Sequence, residues 1–334
     1  MSEQHPLLAL SRVTKRFGEP LSPLQRGLNR LGANYQLHRV HAVDQVSLKV
    51  DKKEVVALVG ESGCGKSTLA RLAVGLMQPD TGTRHWCGQN MDAMSSQQQH
   101  QTRLSIQMIF QDPYASLNPR MRAIDTVTQA PLHHSLISSA EQIEFAHALF
   151  AKVGLSPELL ARYPHQLSGG QRSRLGIARA LAVSPQFLVC DEAVAALDVS
   201  IQAQVLNLFM QLRADLDLTY LFISHDLGVV RHLADRVVIM YLGRVVEEGP
   251  SAEIFSSANH PYTQALLAEM PTLQLKRKTY HPVSGEMPSP MNPPQGCHFH
   301  PRCPHATKTC AQDAPLLREI APGHSAACHL NDSH

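Results

Sequence analysis

Residues 60–68 read Gly60-Glu61-Ser62-Gly63-Cys64-Gly65-Lys66-Ser67-Thr68, which matches the pattern G-x-x-x-x-G-K-[S/T]. The Val-rich apolar run from Glu54 to Val59 predicts a buried strand before this segment, and apolar residues at helical spacing predict a helix after it. In that context we predict a P-loop, whose glycines let backbone N–H groups curl around the β- and γ-phosphates of a nucleotide. Lys66 would add a positive charge and Ser67 a hydroxyl ligand for Mg²⁺.

Two carboxylates end a second apolar run, Phe187 to Cys190, which also predicts a buried strand. Ligands in a parallel sheet bind at the carboxyl ends of its strands. We therefore expect Asp191 to hold Mg²⁺, and Glu192 to orient and deprotonate an attacking water. The alternative is a pair of solvated acids, which the P-loop upstream disfavours.

A second anion-binding helix start is predicted at Leu167-Ser168-Gly169-Gly170-Gln171, directly before a predicted helix from Arg172 to Ala182. One nucleotide does not need two phosphate cradles from a single chain. A sandwich of two domains does, because each P-loop nucleotide is then capped by the Ser-Gly-Gly-Gln of the other domain. A P-loop kinase or GTPase that acts alone does not explain this segment.

These motifs, in this order, resemble those of the ABC ATPase family. The resemblance implies binding of ATP and Mg²⁺ by an α/β protein with a P-loop NTPase (RecA-like) core and a parallel sheet. It also implies an antiparallel β subdomain, a helical subdomain inserted at about 112–170, and a loop-rich, Cys-containing C-terminal extension. We expect the ATPase domain at 1–258 and the extension at 259–334.

The resemblance assigns four more residues to the ATP site. They are Phe17 stacking on adenine, Gln111 as the Q-loop glutamine near Mg²⁺ or the water, Asp198 in the D-loop at the dimer seam, and His225 as the switch histidine on the γ-phosphate. The chain departs from the family pattern after Glu192, where Pro is usual, with Ser or Thr two residues later. Ala193-Val194-Ala195 stands there instead, so we expect catalysis to survive with a looser D-loop.

The remaining pattern predicts a helix from Ile201 to Leu216 and strands at Tyr220–Ile223 and Val237–Met240. Strands that alternate with helices imply a parallel sheet covered on both faces. The Ser- and Gln-rich stretch from Ser95 to His100 predicts an exposed loop. Between 112 and 168, helical segments are expected to break at prolines. These are Pro113, Pro119, Pro131, Pro157 and Pro164.

The charge and hydropathy patterns exclude some classes of protein. The 334 residues carry a formal net charge of +2, and this balance argues against a dedicated nucleic-acid binder. The longest apolar runs are far shorter than the roughly 20 residues that span a bilayer. We therefore expect a soluble or peripheral protein, with any membrane part supplied by other chains.

The composition changes near His260, since eleven of the 22 prolines lie from Pro261 to Pro322. The segments His260–Leu267 and Gly285–Pro290 resemble the C-terminal extension of the importer branch that contains dipeptide, oligopeptide and nickel permease ATPases. This resemblance implies a peripheral ATPase on the cytoplasmic face of the inner membrane. Its implied partners are a paralogous ATPase subunit in a heterodimer, two transmembrane permease subunits and an extracytoplasmic substrate-binding protein, without nucleic acid.

Two other functions stay open at this point. A nickel importer would carry the same extension, because the ATPase never touches the cargo. An ABC ATPase that acts on DNA or ribosomes usually carries two ATPase domains or a long coiled-coil insertion. This chain has one set of motifs, with about a hundred residues between Lys66 and Ser168.

Four of the seven cysteines crowd into the extension, at Cys297, Cys303, Cys310 and Cys328. Four thiolates can hold a [4Fe–4S] cluster or tetrahedral zinc. Structural zinc sites favour close C-x₂₋₄-C pairs, which are absent here, and the resemblance to the importer branch implies the cluster. Nearby histidines keep a mixed site open, and four free thiols are the remaining alternative. These histidines are His298, His300, His305 and His329.

Overall fold

The computed structural model describes residues 5–18, 39–270 and 285–332. Its strands are β1 (Leu8–Phe17), β2 (Val40–Val50), β3 (Val55–Val59), β4 (Thr81–Trp86), β5 (Gln89–Asn90), β6 (Ile106–Ile109), β7 (Phe187–Asp191), β8 (Thr219–Ile223), β9 (Arg236–Tyr241), β10 (Arg244–Pro250), β11 (Arg318–Ala321) and β12 (His324–Ala326). They form two sheets, one of four strands in the order β2-β1-β4-β5 and one of eight in the order β11-β12-β10-β9-β3-β8-β7-β6.

Parallel pairing joins five consecutive strands of the larger sheet, β9, β3, β8, β7 and β6. Every residue of β3, β7 and β8 is buried. This is expected where helices or a second sheet cover both faces of a parallel sheet, and it explains why these strands read as continuous apolar runs. The α/β fold predicted from the sequence is confirmed, including the separate antiparallel sheet.

The helices alternate with these strands along the chain. They are α1 (Lys66–Ala73), α2 (Ser96–Ser105), α3 (Pro113–Ser116), α4 (Ala123–His133), α5 (Gln142–Lys152), α6 (Gly169–Leu181), α7 (Val199–Leu216), α8 (Leu227–Leu233), α9 (Ser251–Ser257), α10 (Pro261–Ala268) and α11 (Lys308–Gln312). Helices α3 to α5 occupy the region predicted for the helical subdomain. Across the described ranges, no helix combines the length and apolar character needed to cross a membrane.

The two faces of the central sheet bury different cores. Val189 of β7 packs with α1 and the antiparallel sheet, whereas its neighbours Leu188 and Cys190 pack with helices α4 to α7. This division follows from the two-residue period of a strand, which sends successive side chains to opposite faces. The P-loop therefore follows a strand, β3, whose two faces are both covered by packed side chains.

Two local predictions in the region before α6 were wrong. The stretch from Ser95 to His100 is not a loop but begins α2, because Ser95 and Gln98 form a reciprocal capping box at its start. Pro131 does not break α4, which continues to His133. Pro131 lacks only the one N–H that would bond to the carbonyl oxygen four residues earlier, and the helix ends two residues after it.

The C-terminal extension is joined to the main sheet. Strands β11 and β12 continue it beyond β10 by antiparallel pairing, with Glu247 opposite Ala326. Glu247 is fully buried and accepts hydrogen bonds from the backbone N–H groups of Asn259 (2.7 Å) and His260 (3.0 Å). Its carboxylate also lies 2.8 Å from Nε2 of the buried His324. One carboxylate thus connects β10, the start of α10 and β12.

Candidate nucleotide site

The loop between β3 and α1 follows the path that its glycines allow. Gly63 and Gly65 have φ angles of +81° and +107°, a region that other residues enter at a cost. A Cβ on Gly65 would lie 1.9 Å from the carbonyl oxygen of Ala42, so no larger residue fits there. No side chain caps the first turn of α1, which leaves its N–H groups free for an anion.

Lys66 places a charge inside this loop. Its side chain is buried, and Nζ donates to the carbonyl oxygens of Gly60 (2.7 Å) and Glu61 (2.9 Å). Cys64 is buried beneath the loop, and burial raises the pKa of its thiol. The ammonium group therefore lies among the backbone groups predicted to surround phosphate. The other predicted loop residues, Ser62 and Thr68, are exposed and half-buried.

Ser67 and Asp191 meet at the carboxyl end of the sheet, although 124 residues separate them in the chain. The Ser67 hydroxyl donates to Oδ1 of Asp191 at 3.0 Å. Burial raises the pKa of the Asp191 carboxyl, while the hydrogen bond from Ser67 lowers it. Two hard oxygen ligands side by side could bind Mg²⁺, which usually takes one or two protein oxygens together with phosphate oxygens and water.

Glu192 brings together the three side chains assigned to catalysis. Its Oε2 accepts a hydrogen bond from Nε2 of Gln111 at 2.6 Å, and its Oε1 lies 3.4 Å from Nδ1 of His225. The Glu192 side chain is 16% exposed and that of His225 is 61% exposed. The backbone of Glu192 has a φ of +49°, an unfavourable conformation that proteins keep mainly at functional sites. A carboxylate that faces a glutamine amide and an imidazole could orient a water molecule.

The second anion-binding segment lies at the start of α6. Ser168 is exposed and caps the helix in a reciprocal box with Gln171, and Leu167 anchors the turn in the core. A Cβ on Gly170 would lie 2.7 Å from Cγ2 of Ile201, so the segment packs against the start of α7. Among the described residues, no hydrogen bond joins this segment to the Gly60–Thr68 loop of the same chain.

Asp198 immediately precedes α7, and its exposed side chain makes no cap bond to the helix. The unusual Ala193-Val194-Ala195 stretch before it is held by turn bonds, from the N–H of Ala195 to the oxygen of Glu192 (3.1 Å) and from Leu197 to Val194 (3.2 Å). Ala193 and Val194 are themselves buried. Packing and backbone bonds thus support the predicted D-loop segment, which lacks the usual Pro and hydroxyl. Phe17, the residue predicted to stack on adenine, is the last residue of β1 and is 38% exposed.

Two residues of the extension, Arg302 and Tyr262, contact the P-loop, and no pattern in the sequence predicts these contacts. Nη1 of Arg302 donates to both carboxylate oxygens of Glu61, at 2.9 and 3.1 Å. The N–H of Glu61 donates to the hydroxyl of Tyr262 at 2.9 Å. These contacts span 241 and 201 residues of the chain, so no local spacing could predict them.

All four cysteines of the extension line one small pocket and are free thiols. Burial above all, together with the neighbouring Cys310, Cys328 and Cys303 thiols, raises the pKa of Cys297 to about 11. His300, His305 and His329 share the pocket, whereas the fourth predicted histidine, His298, hydrogen-bonds to the carbonyl oxygen of Leu242 instead. Within the described part of the chain, no three His, Cys, Asp or Glu side chains are arranged to hold a metal ion.

Family models match two parts of the chain. The model described as ABC transporter matches residues 43–195, which contain the P-loop, the Ser168 segment and Glu192. The model described as the C-terminal region of oligopeptide/dipeptide transporters matches residues 246–310. The second match begins within β10, at the point where the extension joins the sheet.

Relatives with curated names match nearly the whole chain. The oligopeptide transport ATP-binding protein AppF of Bacillus subtilis is 45% identical over 334 residues, covering 98% of both chains. The dipeptide transport ATP-binding protein DppF of Haemophilus influenzae is 44% identical over 331 residues, again covering 98% of both chains. The oligopeptide transport ATP-binding protein OppF of Escherichia coli is 48% identical over 292 residues, covering 86% of this chain and 87% of its own.

The fold matches solved structures of the same kind. A dimeric structure of the ATP-binding cassette MJ0796 in a post-hydrolysis state, bound to ADP and Pi, aligns with a TM-score of 0.62 and 25% identity over 73% of this chain and 98% of that one. The identities over nearly full length, together with the matched cassette, place the chain in one family. It belongs to the ATP-binding proteins of ABC transporters.

Proposed function

We propose that this chain hydrolyses ATP to power the import of dipeptides or oligopeptides across the cytoplasmic membrane. The observation that carries the proposal is one continuous constellation, in which the P-loop, Asp191, Glu192, Gln111 and His225 meet at the carboxyl end of the sheet. The names of the relatives and the matched C-terminal region support a peptide cargo.

In this proposal the chain's own residues divide the work of hydrolysis. Lys66 and the loop N–H groups bind the phosphates, while Ser67, Asp191 and Gln111 would hold Mg²⁺, which neutralises phosphate charge. Glu192 accepts the proton of the attacking water, and His225 contacts the γ-phosphate from its exposed position. Phe17 stacks on the adenine ring.

The proposed site is completed by a second ATPase chain. Ser168 and Gly169 are exposed and offer polar groups at a helix start, yet no described hydrogen bond ties them to the P-loop of their own chain. We infer that they cap the nucleotide of a paralogous partner, with Asp198 at the seam between the chains. The solved cassette to which this chain is similar is itself described as dimeric.

The remaining partners follow from the importer assignment. We propose that the chain is peripheral on the cytoplasmic face of the inner membrane and docks on two transmembrane permease subunits. A substrate-binding protein outside the membrane would deliver the cargo, and nucleic acid would have no part in the cycle. Nickel complexes are the second candidate cargo, carried by the same importer branch.

Uptake by a strain that lacks this gene and every other peptide importer tests the proposal. Labelled dipeptide, labelled longer peptide and nickel are compared, with the native chain or its Glu192→Gln variant restored. We expect peptide uptake to return with the native chain only. Restored nickel uptake without peptide uptake would identify nickel as the cargo. Unchanged uptake of all three compounds would contradict both the peptide and the nickel assignment.

We also propose that Cys297, Cys303, Cys310 and Cys328 hold a [4Fe–4S] cluster that fastens the extension. Four free thiols line one pocket, which supplies the ligands that such a cluster requires. A zinc ion about 2.3 Å from each sulfur needs all four within about 4 Å of one another. The preference for the cluster over zinc rests on the spacing of the four cysteines, which lacks the close C-x₂₋₄-C pairs that structural zinc sites favour.

Metal analysis of anaerobically purified protein separates the two ligands. We expect about four iron and four sulfide per chain, because a cubane cluster has that composition. Substituting Cys303→Ser should lower the iron content, whereas substituting the exposed Cys87→Ser, outside the pocket, should leave it unchanged. Stoichiometric zinc without iron or sulfide would contradict the cluster.

A further inference from the structure

Glu61 is held at three separate groups, two of them by the C-terminal extension. Its N–H donates to Tyr262 Oη, its carboxylate accepts from Arg302, and its carbonyl oxygen accepts from Lys66 Nζ. The third bond belongs to the P-loop itself, while the other two come from residues more than 200 positions later. The second residue of the P-loop is therefore fixed from outside the ATPase core.

Arg302 is suited to this role by its surroundings. Its side chain is 7% exposed, and the guanidinium lies over the Tyr241 ring, 5.8 Å from the ring centroid. A buried guanidinium that donates from Nη1 to both oxygens of a carboxylate makes charge-assisted hydrogen bonds, and removing the carboxylate would leave a buried charge without its ionic partner. Glu61 is 28% exposed, so its carboxylate would lie in solvent without this partner.

The same contacts reach the cysteine-lined pocket. Arg302 lies in a tight turn that runs from Cys297 to Cys303, closed by backbone bonds from His300 to Cys297 and from Arg302 to Phe299. Phe299 in this turn is buried against Tyr262 and Tyr241, with ring centroids 5.4 and 5.3 Å away. Buried aromatic rings transmit a shift of this turn because a packed cluster cannot deform freely.

We propose that Arg302 is a positioning residue of the ATP site, through which the Cys297–Cys303 turn holds the P-loop in its nucleotide-binding conformation. The inference rests on the proposed assignment of the Gly60–Thr68 loop to ATP. Arg302 acts on the loop only through Glu61, so it sets the affinity for ATP and leaves the hydrolysis step at Glu192 unchanged.

The test measures Mg-ATP affinity, KM and kcat for the full chain together with its partner ATPase. We expect Arg302→Leu to weaken ATP binding and raise KM about 5- to 20-fold, which is less than the roughly 10- to 150-fold worth of a hydrogen bond to a charged group, because Arg302 reaches the nucleotide only through Glu61. The value of kcat should stay within about twofold. Glu61→Gln should give a similar loss, and the double variant should be no worse than either single one, because both break one link. Arg302→Lys should restore part of the affinity.

Arg318→Leu is the matched control, since Arg318 pairs with Asp332 in the same extension and is 60% exposed. Its ATP affinity should equal that of the native chain. Glu61→Gln keeps the inference testable if Arg302→Leu fails to fold, because it cuts the same link at a more exposed residue. Native affinity in Glu61→Gln, additive losses in the double variant, or an equal loss in Arg318→Leu would each overturn the inference. A native chain that binds no ATP would overturn the proposed function as well.

Discussion

Substituting Glu192→Gln should lower ATP turnover by roughly 10²–10⁴-fold while the chain still binds Mg-ATP. The amide keeps the size of the side chain and can still meet Gln111 and His225, yet it cannot accept a proton from water. Removing a general base therefore affects kcat and leaves nucleotide affinity nearly unchanged. Phosphate release and the binding of a fluorescent ATP analogue are the two measurements.

Glu158→Gln is the control for this substitution, because Glu158 is exposed in the short helical turn Pro157–Ala161 and none of the described hydrogen bonds or ion pairs joins its side chain to the site. Its turnover should match that of the native chain. Native turnover in Glu192→Gln would remove Glu192 from the proposed role. Loss of ATP binding in the same variant would instead assign Glu192 to nucleotide binding.

Substituting Lys66→Ala should weaken Mg-ATP binding by about 10²-fold, and turnover should fall with it. Nζ of Lys66 donates to the carbonyl oxygens of Gly60 and Glu61, so its positive charge lies inside the Gly60–Thr68 loop. A charge-assisted contact to phosphate is worth more than a neutral hydrogen bond, and the buried position shields it from solvent. Equilibrium titration with labelled ATP measures the loss.

Lys152→Ala is the matched control, since Lys152 lies exposed in the last turn of α5. It should bind ATP as the native chain does. The two substitutions at the site separate binding from chemistry, because Lys66→Ala should lose affinity whereas Glu192→Gln should retain it. Tight ATP binding by Lys66→Ala would contradict the placement of phosphate in this loop.

The sequence was sufficient for the parts of the fold that local pattern controls. Strands β3, β7 and β8 lie within a residue of their predicted positions because each is a short apolar run buried on both faces. Glu192 could be grouped with Gln111 only through the family order of the motifs. The two residues are 81 positions apart, and the parallel sheet brings them together.

Other parts of the structure depend on tertiary contacts, or on a local pattern that the polar composition of the segment masks. Ser95 and Gln98 show the spacing of a capping box, and polar composition hid the helix α2 that they start. Composition also made the extension look detached, whereas β12 pairs with β10 through backbone groups that carry no sequence pattern. The bond from Arg302 to Glu61 spans 241 residues and leaves no periodic trace.

The most direct test of the central claim is the mass of the Glu192→Gln chain, mixed with its partner ATPase, with and without Mg-ATP. Because Ser168 is proposed to complete the partner's site, bound ATP should join the two chains when hydrolysis is blocked. We predict a stable two-chain particle with Mg-ATP and separate chains without it. No such particle should form when Ser168→Arg is combined with the equivalent substitution in the partner chain. ATP-bound chains that remain separate would contradict the account of a shared site.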